Sequence, residues 1–162
     1  MAAAAMQGNA PAMSDSDRAE ISRRVRAAST SFSGAMRSLP RPPREAIFAV
    51  YAFCRAVDDI ADDEGATVEE RTRDLKRWRM DIEKLYSGVP DRLTTRVLAP
   101  AVAEYELEKQ DFLDVIDGME MDAAGPVVAP DGATLVQYCD RVACAVGRLC
   151  VHIFGEPGDN GK

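Results

Sequence analysis

The 162-residue chain lacks the patterns that identify common metal, redox and membrane proteins. It has one histidine and four cysteines, and no two cysteines are spaced as C-x-x-C, so no zinc site is indicated. No apolar run approaches the roughly 18 residues that a membrane-spanning helix needs. A glycine-rich dinucleotide-binding fingerprint and β-strand alternation are also missing. These absences predict an all-α protein that uses no nicotinamide cofactor and whose cysteines are small core residues.

Positive charge is scarce. Lysine and arginine together number 20 against 27 acidic residues, which gives a formal net charge of −7. Nucleic-acid binding depends on a basic stripe that displaces counterions, so we expect no nucleic-acid partner. An acidic protein that binds a diphosphate must hold it through metal ions or clustered arginines.

The amino-terminal segment 1–13 is rich in alanine and has no helical periodicity. It lacks the basic and apolar regions of a secretory signal, so we predict a disordered tail and a cytoplasmic protein. The remaining residues, 14–162, are enough for one domain at most.

Apolar periodicity predicts a helical bundle with short connections. The expected helices cover 15–28, 32–38, 44–61, 68–86, 91–105, 108–122 and 135–153. In the last of these, large apolar residues recur every three or four positions and predict one buried stripe: Leu135, Tyr138, Val142, Val146, Leu149 and Ile153. The acids of the 108–122 helix are expected to be mostly solvated.

Local signals add expectations about where these helices begin and end. Thr67 and Glu70 form a capping box, Asp91 is placed to cap the next helix, and Trp78 is expected in the core. Prolines at 40, 42 and 43 should stop the 32–38 helix, and Pro100 should bend or break the helix that contains it.

The end of the 44–61 helix carries a cluster of acids. At about 100° per residue, Tyr51, Arg55, Asp58 and Asp62 fall within roughly 60° of one another on a helix. Asp59 points about 100° away from Asp58 and is less well placed to join them.

Paired carboxylates one turn apart repel each other, and acids at a helix carboxyl end also oppose the helix dipole. A magnesium ion removes both costs, because it accepts one or two carboxylates and completes its shell with waters and substrate phosphates. Arg55 on the same face can bind a phosphate or steady a carboxylate. The alternative is a solvated acidic helix end, since acid runs usually belong to the surface.

Four ordered segments of the chain resemble the squalene/phytoene synthase family. They are 31–33 (SFS) with the Leu-Pro at 39–40, 51–62 (YAFCRAVDDIAD), 116–122 (IDGMEMD) and 138–147 (YCDRVACAVG). The resemblance implies a helical bundle of the isoprenoid synthase type. Family members carry a second aspartate-rich motif after the fourth segment, and the sequence ends at residue 162 before one occurs. We therefore expect 14–162 to be the amino-terminal part of an incomplete domain.

The resemblance implies a head-to-head prenyl transferase that uses Mg²⁺. The third and fourth segments are most similar to the hopanoid-pathway branch, which joins two farnesyl diphosphates into presqualene diphosphate. Asp58 and Asp62 would hold the metal, Arg55 and Tyr51 would contact the diphosphate, and Tyr138 would face the carbocation.

The resemblance also implies substrate contacts. Ser31 and Phe32 would lie at the mouth of the site, Asp122 near the diphosphate, and Val142, Val146 and Gly147 along the prenyl slot. Alternatives are a phytoene or squalene synthase, a non-catalytic relative that acts as an assembly factor, and an unrelated acidic helical domain. Oligomeric state and peripheral contact with a membrane stay open, and we expect the chain alone to be inactive or nearly so.

Overall fold

The computed structural model describes residues 14–27, 31–125 and 128–155, without the side chains of 31–33. Within these ranges the chain is helical and contains no β-strand, which confirms the all-α prediction. The elements are α1 (Asp15–Ala27), α2 (Ser31–Ser38), α3 (Arg41–Ala61), α4 (Val68–Tyr86), α5 (Leu93–Glu104), α6 (Lys109–Ala124), α7 (Gly132–Cys139), a π turn (Asp140–Cys144) and α8 (Ala145–Phe154). The predicted tail, 1–13, lies outside the described residues.

The prolines after α2 start the next helix instead of only stopping the previous one. Helix α3 begins at Arg41, so Pro42 and Pro43 lie in its first turn, where the missing N–H has no intrahelical partner to lose. The prediction that this helix begins at Arg44 is therefore wrong by one turn.

The start of α4 has the predicted capping box. The Thr67 hydroxyl accepts from the Glu70 amide at 3.2 Å, and the Glu70 carboxylate accepts from the Thr67 amide at 2.9 Å. Asp91 does not cap α5, because its carboxylate binds the Lys84 ammonium at 2.6 Å. Helix α5 continues past Pro100 to Glu104, so of the predicted bend or break the break does not occur.

The centre of the core is an aromatic cluster from three helices. Phe53 of α3 is fully buried and meets Trp78 of α4 and Phe112 of α6 edge to face, at ring-centroid distances of 5.5 and 5.1 Å. The Arg92 guanidinium lies over the Trp78 ring at 4.2 Å. Trp78 is a core residue as predicted, and α3 is fixed between α4 and α6 by its own central side chain.

The last helix is continuous from α7 through the π turn to α8, and its fully buried residues all follow the π turn. Leu149 and Ile153 are buried, whereas Leu135 of the predicted stripe is 48% exposed. A π turn has i→i+5 hydrogen bonds, so residues after it are rotated relative to an uninterrupted α-helix. Tyr138, Val142 and Val146 are half-buried, so the prediction of one buried stripe is wrong for Leu135.

The cysteines divide into two pairs. Cys139 and Cys144 are exposed on the last helix, whereas Cys54 and Cys150 are partly buried. The expectation of core cysteines is therefore wrong for the first pair.

Helix α6 and the last helix run antiparallel and are joined by ion pairs. Arg148 binds three carboxylates, those of Asp111, Asp114 and Asp140. Asp111 is only 5% exposed, so the expectation that the acids of α6 face solvent is wrong for this residue. None of the helices in the described ranges is both long and apolar enough to cross a bilayer.

Candidate functional site

Three acids, Asp58, Asp62 and Asp122, lie at the same end of the bundle and influence one another electrostatically. Asp58 lies in the last turn of α3, and Asp62 follows that helix, its amide donating to the Asp58 carbonyl at 2.9 Å. Asp122 lies in the last turn of α6. Burial raises the pKa of Asp58, and the charges of Asp62, Asp59 and Asp122 raise it further, outweighing Arg55. Asp58 is half-buried and Asp62 is exposed, and the charge of Asp122 reaches Asp58 from α6.

Tyr138 of α7 joins this group through a hydrogen bond. Its hydroxyl donates to Asp122 Oδ2 at 3.1 Å. Burial raises the pKa of Asp122, the bond from Tyr138 lowers it, and the charge of Asp62 raises it. Burial and the bond to Asp122 raise the pKa of Tyr138, so the phenol stays protonated at neutral pH.

Arg55 lies between two acids of its own helix. Its Nη1 is 2.9 Å from Asp58 Oδ2, and its Nη2 is 2.7 Å from Asp59 Oδ1. Asp59 was predicted to be poorly placed, but the forked guanidinium reaches both i+3 and i+4 positions.

Tyr51 lines a groove whose lining residues include neither Asp58 nor Asp62. Tyr51, Arg55 and Asp59 line a groove between α3 and the end of α1, where Arg23 and Arg24 also contribute. Of the four residues predicted to share one face, Tyr51 lines this groove and Asp58 and Asp62 form the acidic face. Arg55 lines the groove and also binds Asp58, so it connects the two.

The predicted prenyl contacts lie on the last helix. Val142 and Val146 are half-buried against the core, whereas Gly147 is exposed, with no atom within 4 Å of where a Cβ would be. The backbone of Ser31 and Phe32 lies in the first turn of α2, and their side chains are outside the described residues.

The donor chemistry fits a hard cation that takes few protein ligands. No group of three or more His, Cys, Asp or Glu side chains in the described part of the chain is close enough to hold a metal by itself. Asp58 and Asp62 offer carboxylate oxygens that repel each other, the arrangement in which Mg²⁺ takes two carboxylates and completes its shell with water and phosphate.

Two features of the site were not expected from sequence. One is the bond between Tyr138 and Asp122, since only their separate roles were predicted. The other is Gly118, the mid-helix glycine of the IDGMEMD segment, where α6 meets the π turn at close range. An isolated glycine inside a helical pattern is the signal that points to such a contact.

Comparison with known proteins places the chain in a family. The family model described as squalene/phytoene synthase matches residues 25–162. The presqualene diphosphate synthase of Zymomonas mobilis is 54% identical over 129 residues, which are 80% of this chain and 44% of that protein. The presqualene diphosphate synthase of Rhodopseudomonas palustris is 51% identical over 139 residues, which are 82% of this chain and 47% of that protein. Phytoene synthases among the matches share 31–36% identity.

The fold has a solved counterpart. A crystal structure of a dehydrosqualene synthase in complex with a ligand superposes with a TM-score of 0.74 at 26% sequence identity. The match covers 85% of this chain and 47% of that chain, which confirms the isoprenoid synthase type of helical bundle. The chain spans about half the length of the curated relatives it matches. With the family model covering residues 25–162, the chain belongs to the squalene/phytoene synthase family.

Proposed function

We propose that the protein to which this chain contributes joins two farnesyl diphosphates head to head, yielding presqualene diphosphate, pyrophosphate and a proton. The observation that carries the proposal is the group formed by Asp58, Asp62, Asp122 and Tyr138 at one end of the bundle. The greater similarity to presqualene diphosphate synthases than to phytoene synthases supports this product over phytoene.

In this proposal Asp58 and Asp62 hold Mg²⁺. The ion, when bound, neutralises the charge that grows on the departing pyrophosphate. The two carboxylates supply only part of a coordination shell, which leaves positions for diphosphate oxygens. Binding a cation there also relieves the repulsion that raises the pKa of Asp58.

Arg55 is the residue that holds the diphosphate. Its guanidinium lies 2.7–2.9 Å from two aspartates, is 53% exposed, and borders both the acidic face and the groove beside Tyr51. A planar guanidinium binds two phosphate oxygens at once, so it fixes the orientation of the leaving group. Tyr51 contributes a contact from the groove side.

Tyr138 acts on the allylic cation that forms during the reaction. The C–O bond of one substrate breaks with its electron pair going to pyrophosphate, and the double bond of the other substrate attacks the resulting allylic cation. The carbon that carried the leaving group then releases a proton, and the electron pair of that C–H bond closes the cyclopropane ring on the second cation. Because the Tyr138 hydroxyl donates its hydrogen bond to Asp122, the lone pairs of the phenolic oxygen are free to face the allylic cation. Asp122 thus orients the phenol and keeps it from donating elsewhere.

Apolar groups line the path of the prenyl chains and keep water away from the cation. We assign this role to Val142, Val146 and Gly147 on the last helix, with Ser31 and Phe32 at the mouth. We further propose that the enzyme is cytoplasmic and touches a membrane peripherally, because its long-chain prenyl substrate and product partition into lipid.

The test is a chimera in which residues 1–162 are joined to the second half of the Zymomonas mobilis relative. Incubation with farnesyl diphosphate and Mg²⁺, followed by mass spectrometry, should detect presqualene diphosphate. Asp58→Asn with Asp62→Asn should abolish product, whereas Glu64→Gln, an exposed acid of the same run, should not. A chimera that folds but turns over only geranylgeranyl diphosphate, or is unaffected by the double substitution, would refute the proposal.

A further inference from the structure

The side chain of Arg71, near the start of α4, joins the ends of two other helices. Its Nη1 donates to the Asp63 carbonyl oxygen and its Nη2 donates to the Ala123 carbonyl oxygen, both at 3.1 Å. Asp63 comes directly after the cap of α3, and Ala123 lies in the last turn of α6. One planar guanidinium therefore links the carboxyl ends of α3 and α6.

Each residue that Arg71 binds comes directly after an acid of the candidate site. Asp62 precedes Asp63, and Asp122 precedes Ala123. Consecutive Cα atoms are held about 3.8 Å apart across a planar peptide unit, so fixing one residue restricts the backbone of the residue before it. Asp62 and Asp122 are close enough to interact electrostatically, and their repulsion favours separation of the two helix ends. The hydrogen bonds of Arg71 oppose that separation.

Arg71 does not have the partners that a half-buried arginine usually has. Within the described ranges its guanidinium forms no ion pair, and both Nη groups donate to main-chain carbonyls. Its Nε is buried without a hydrogen-bond partner. Charged side chains away from the surface are normally paired, and a buried donor without a partner carries a desolvation cost. The placement of Arg71 is therefore not the one that stability alone favours.

The bonds of Arg71 supply positive charge without occupying the acids of the site. The carbonyl ends of α3 and α6 carry partial negative charge, which a guanidinium stabilises. An ion pair with Asp62 would occupy the carboxylate oxygens that a metal ion needs, whereas bonds to main-chain carbonyls leave them open. Arg71 thus holds the two helix ends while the neighbouring carboxylates stay available.

We propose that Arg71 is a positioning residue of the candidate metal site. It sets the distance between the end of α3, which carries Asp62, and the end of α6, which carries Asp122, and it touches neither substrate nor metal. Loss of an outer group that orients metal ligands typically costs roughly 10–100-fold in metal affinity or activity. The inference rests on the proposed function, because it takes Asp62 as a ligand of Mg²⁺.

Arg79 provides the matched control within the same helix. It lies two turns after Arg71 on α4, is also half-buried, and binds the side chains of Asp117 and Glu120 on α6. Arg79 therefore attaches α4 to α6 without bonding to the end of either α3 or α6. Substitution of Arg79 tests the effect of a weaker contact between these helices, and substitution of Arg71 adds the loss of spacing at the site.

The first measurement is the distance between nitroxide labels on Glu64→Cys and Ala124→Cys, by electron paramagnetic resonance. Both positions are exposed and follow the residues that Arg71 binds, and the two exposed native cysteines are replaced by serine. Arg71→Met should lengthen and broaden the label distance, whereas Arg79→Met should leave it unchanged. Arg71→Lys should broaden it less, because an ammonium keeps the charge but lacks the planar fork. The lysine variant also serves if the methionine variant does not fold.

The second measurement is the Mg²⁺ requirement of the chimera with the second half of the Zymomonas mobilis relative. Arg71→Met should raise the half-saturating Mg²⁺ concentration by roughly tenfold. Its kcat at saturating Mg²⁺ should change little, because the bound ion draws the ligands together and excess metal offsets the lost preorganisation. Arg79→Met should lower the melting temperature and leave the Mg²⁺ requirement unchanged.

Either an unchanged label distance or an unchanged Mg²⁺ requirement in Arg71→Met would overturn the proposal, as would equal changes in Arg79→Met. The label distances require no turnover. A chimera that retains Arg71 but makes no presqualene diphosphate would therefore count against the proposed reaction, while the label distances would still decide whether Arg71 sets the spacing.

Discussion

Gly118 of α6 lies directly against Val142 of the π turn, so that a Cβ at position 118 would be 2.7 Å from Val142 Cγ1. The same Cβ would be 3.2 Å from the Arg141 Cβ and 3.4 Å from the Arg141 carbonyl carbon. One turn later in α6 and one turn earlier in the last helix, Tyr138 donates a hydrogen bond to Asp122. The close approach at Gly118 therefore fixes the distance between two helices that both contribute to the candidate site.

Gly118→Ala should destabilise the protein by about 1–3 kcal/mol, the usual cost of adding a methyl group to a tightly packed contact. The measurement is urea denaturation of the variant and of wild type. Val142→Ala added to Gly118→Ala removes the nearest atom and should recover part of the loss. Wild-type stability for the single variant would show that the two helices separate freely.

Asp62→Asn should stabilise the fold at neutral pH. It removes a charge that raises the pKa of both Asp58 and Asp122, without removing an ion pair of Arg55. At these partly exposed positions we expect about 0.2–0.5 kcal/mol, measured as a higher melting temperature.

The pH dependence of this gain has a definite sign. A carboxyl whose folded pKa is raised destabilises the fold as the pH rises through that pKa, so the gain should be present at pH 7 and should disappear below the ordinary value of 3.8. Mg²⁺ should raise the melting temperature of wild type more than that of Asp62→Asn, with Glu64→Gln as the control. A gain that persists at pH 3 would contradict the repulsion argument.

Tyr138→Phe should lower kcat of the completed enzyme by roughly 100-fold with little change in KM, because it removes the phenolic oxygen but keeps the ring. The matched control is Tyr86→Phe, whose hydroxyl donates to the Leu107 carbonyl at 2.6 Å, away from the site. Both variants should lose about 1 kcal/mol of stability, but only the first should lose turnover. Equal kcat values for the two would remove Tyr138 from the mechanism.

Arg148→Met should destabilise the chain by about 2–3 kcal/mol, since it leaves the buried Asp111 carboxylate without its partner. Arg77→Ala removes a single exposed pair with Asp74 and should cost less than about 0.5 kcal/mol. Guanidinium denaturation checks both. Adding Asp111→Asn to Arg148→Met should recover stability, and failure to do so would place the loss in the packing of the arginine stem.

The four thiols should react at two different rates. Burial raises the pKa of the Cys54 thiol to about 12 and also raises that of Cys150, so both stay protonated and shielded. Cys139 and Cys144 are exposed. Labelling of the native chain at pH 8 should modify two cysteines quickly and two slowly, identified by peptide mass mapping. Fast modification of Cys54 would mean that the contact between α3 and α8 opens readily.

Local chemistry made most helix boundaries predictable. The capping box of Thr67 and Glu70 depends only on residues three apart, and the pairing of Asp58 with Asp62 follows from helix geometry. The start of α3 was misjudged because Pro42 and Pro43 fit a first helical turn as well as a stop signal.

The remaining features depend on contacts between helices that are far apart in sequence. No residue type in the π turn at Asp140–Cys144 distinguishes it from an α-helix. The apolar repeat that includes Leu135 and Leu149 therefore predicts an uninterrupted α-helix. Burial of Asp111 follows from Arg148, 37 positions away. A pair such as Asp111 and Arg148 cannot be recognised in the sequence, because it forms only when α6 and the last helix pack together.

The π turn at Asp140–Cys144 separates two parts of the last helix that have different functions. Before the π turn, Tyr138 donates a hydrogen bond to Asp122 of α6. After it, Leu149 and Ile153 are buried in the core of the bundle. Deleting one residue from the π turn would rotate Tyr138 away from Asp122, whereas Leu149 and Ile153 would stay buried in the core. The orientation of Tyr138 can therefore change in evolution while the packing of the helix in the core is kept.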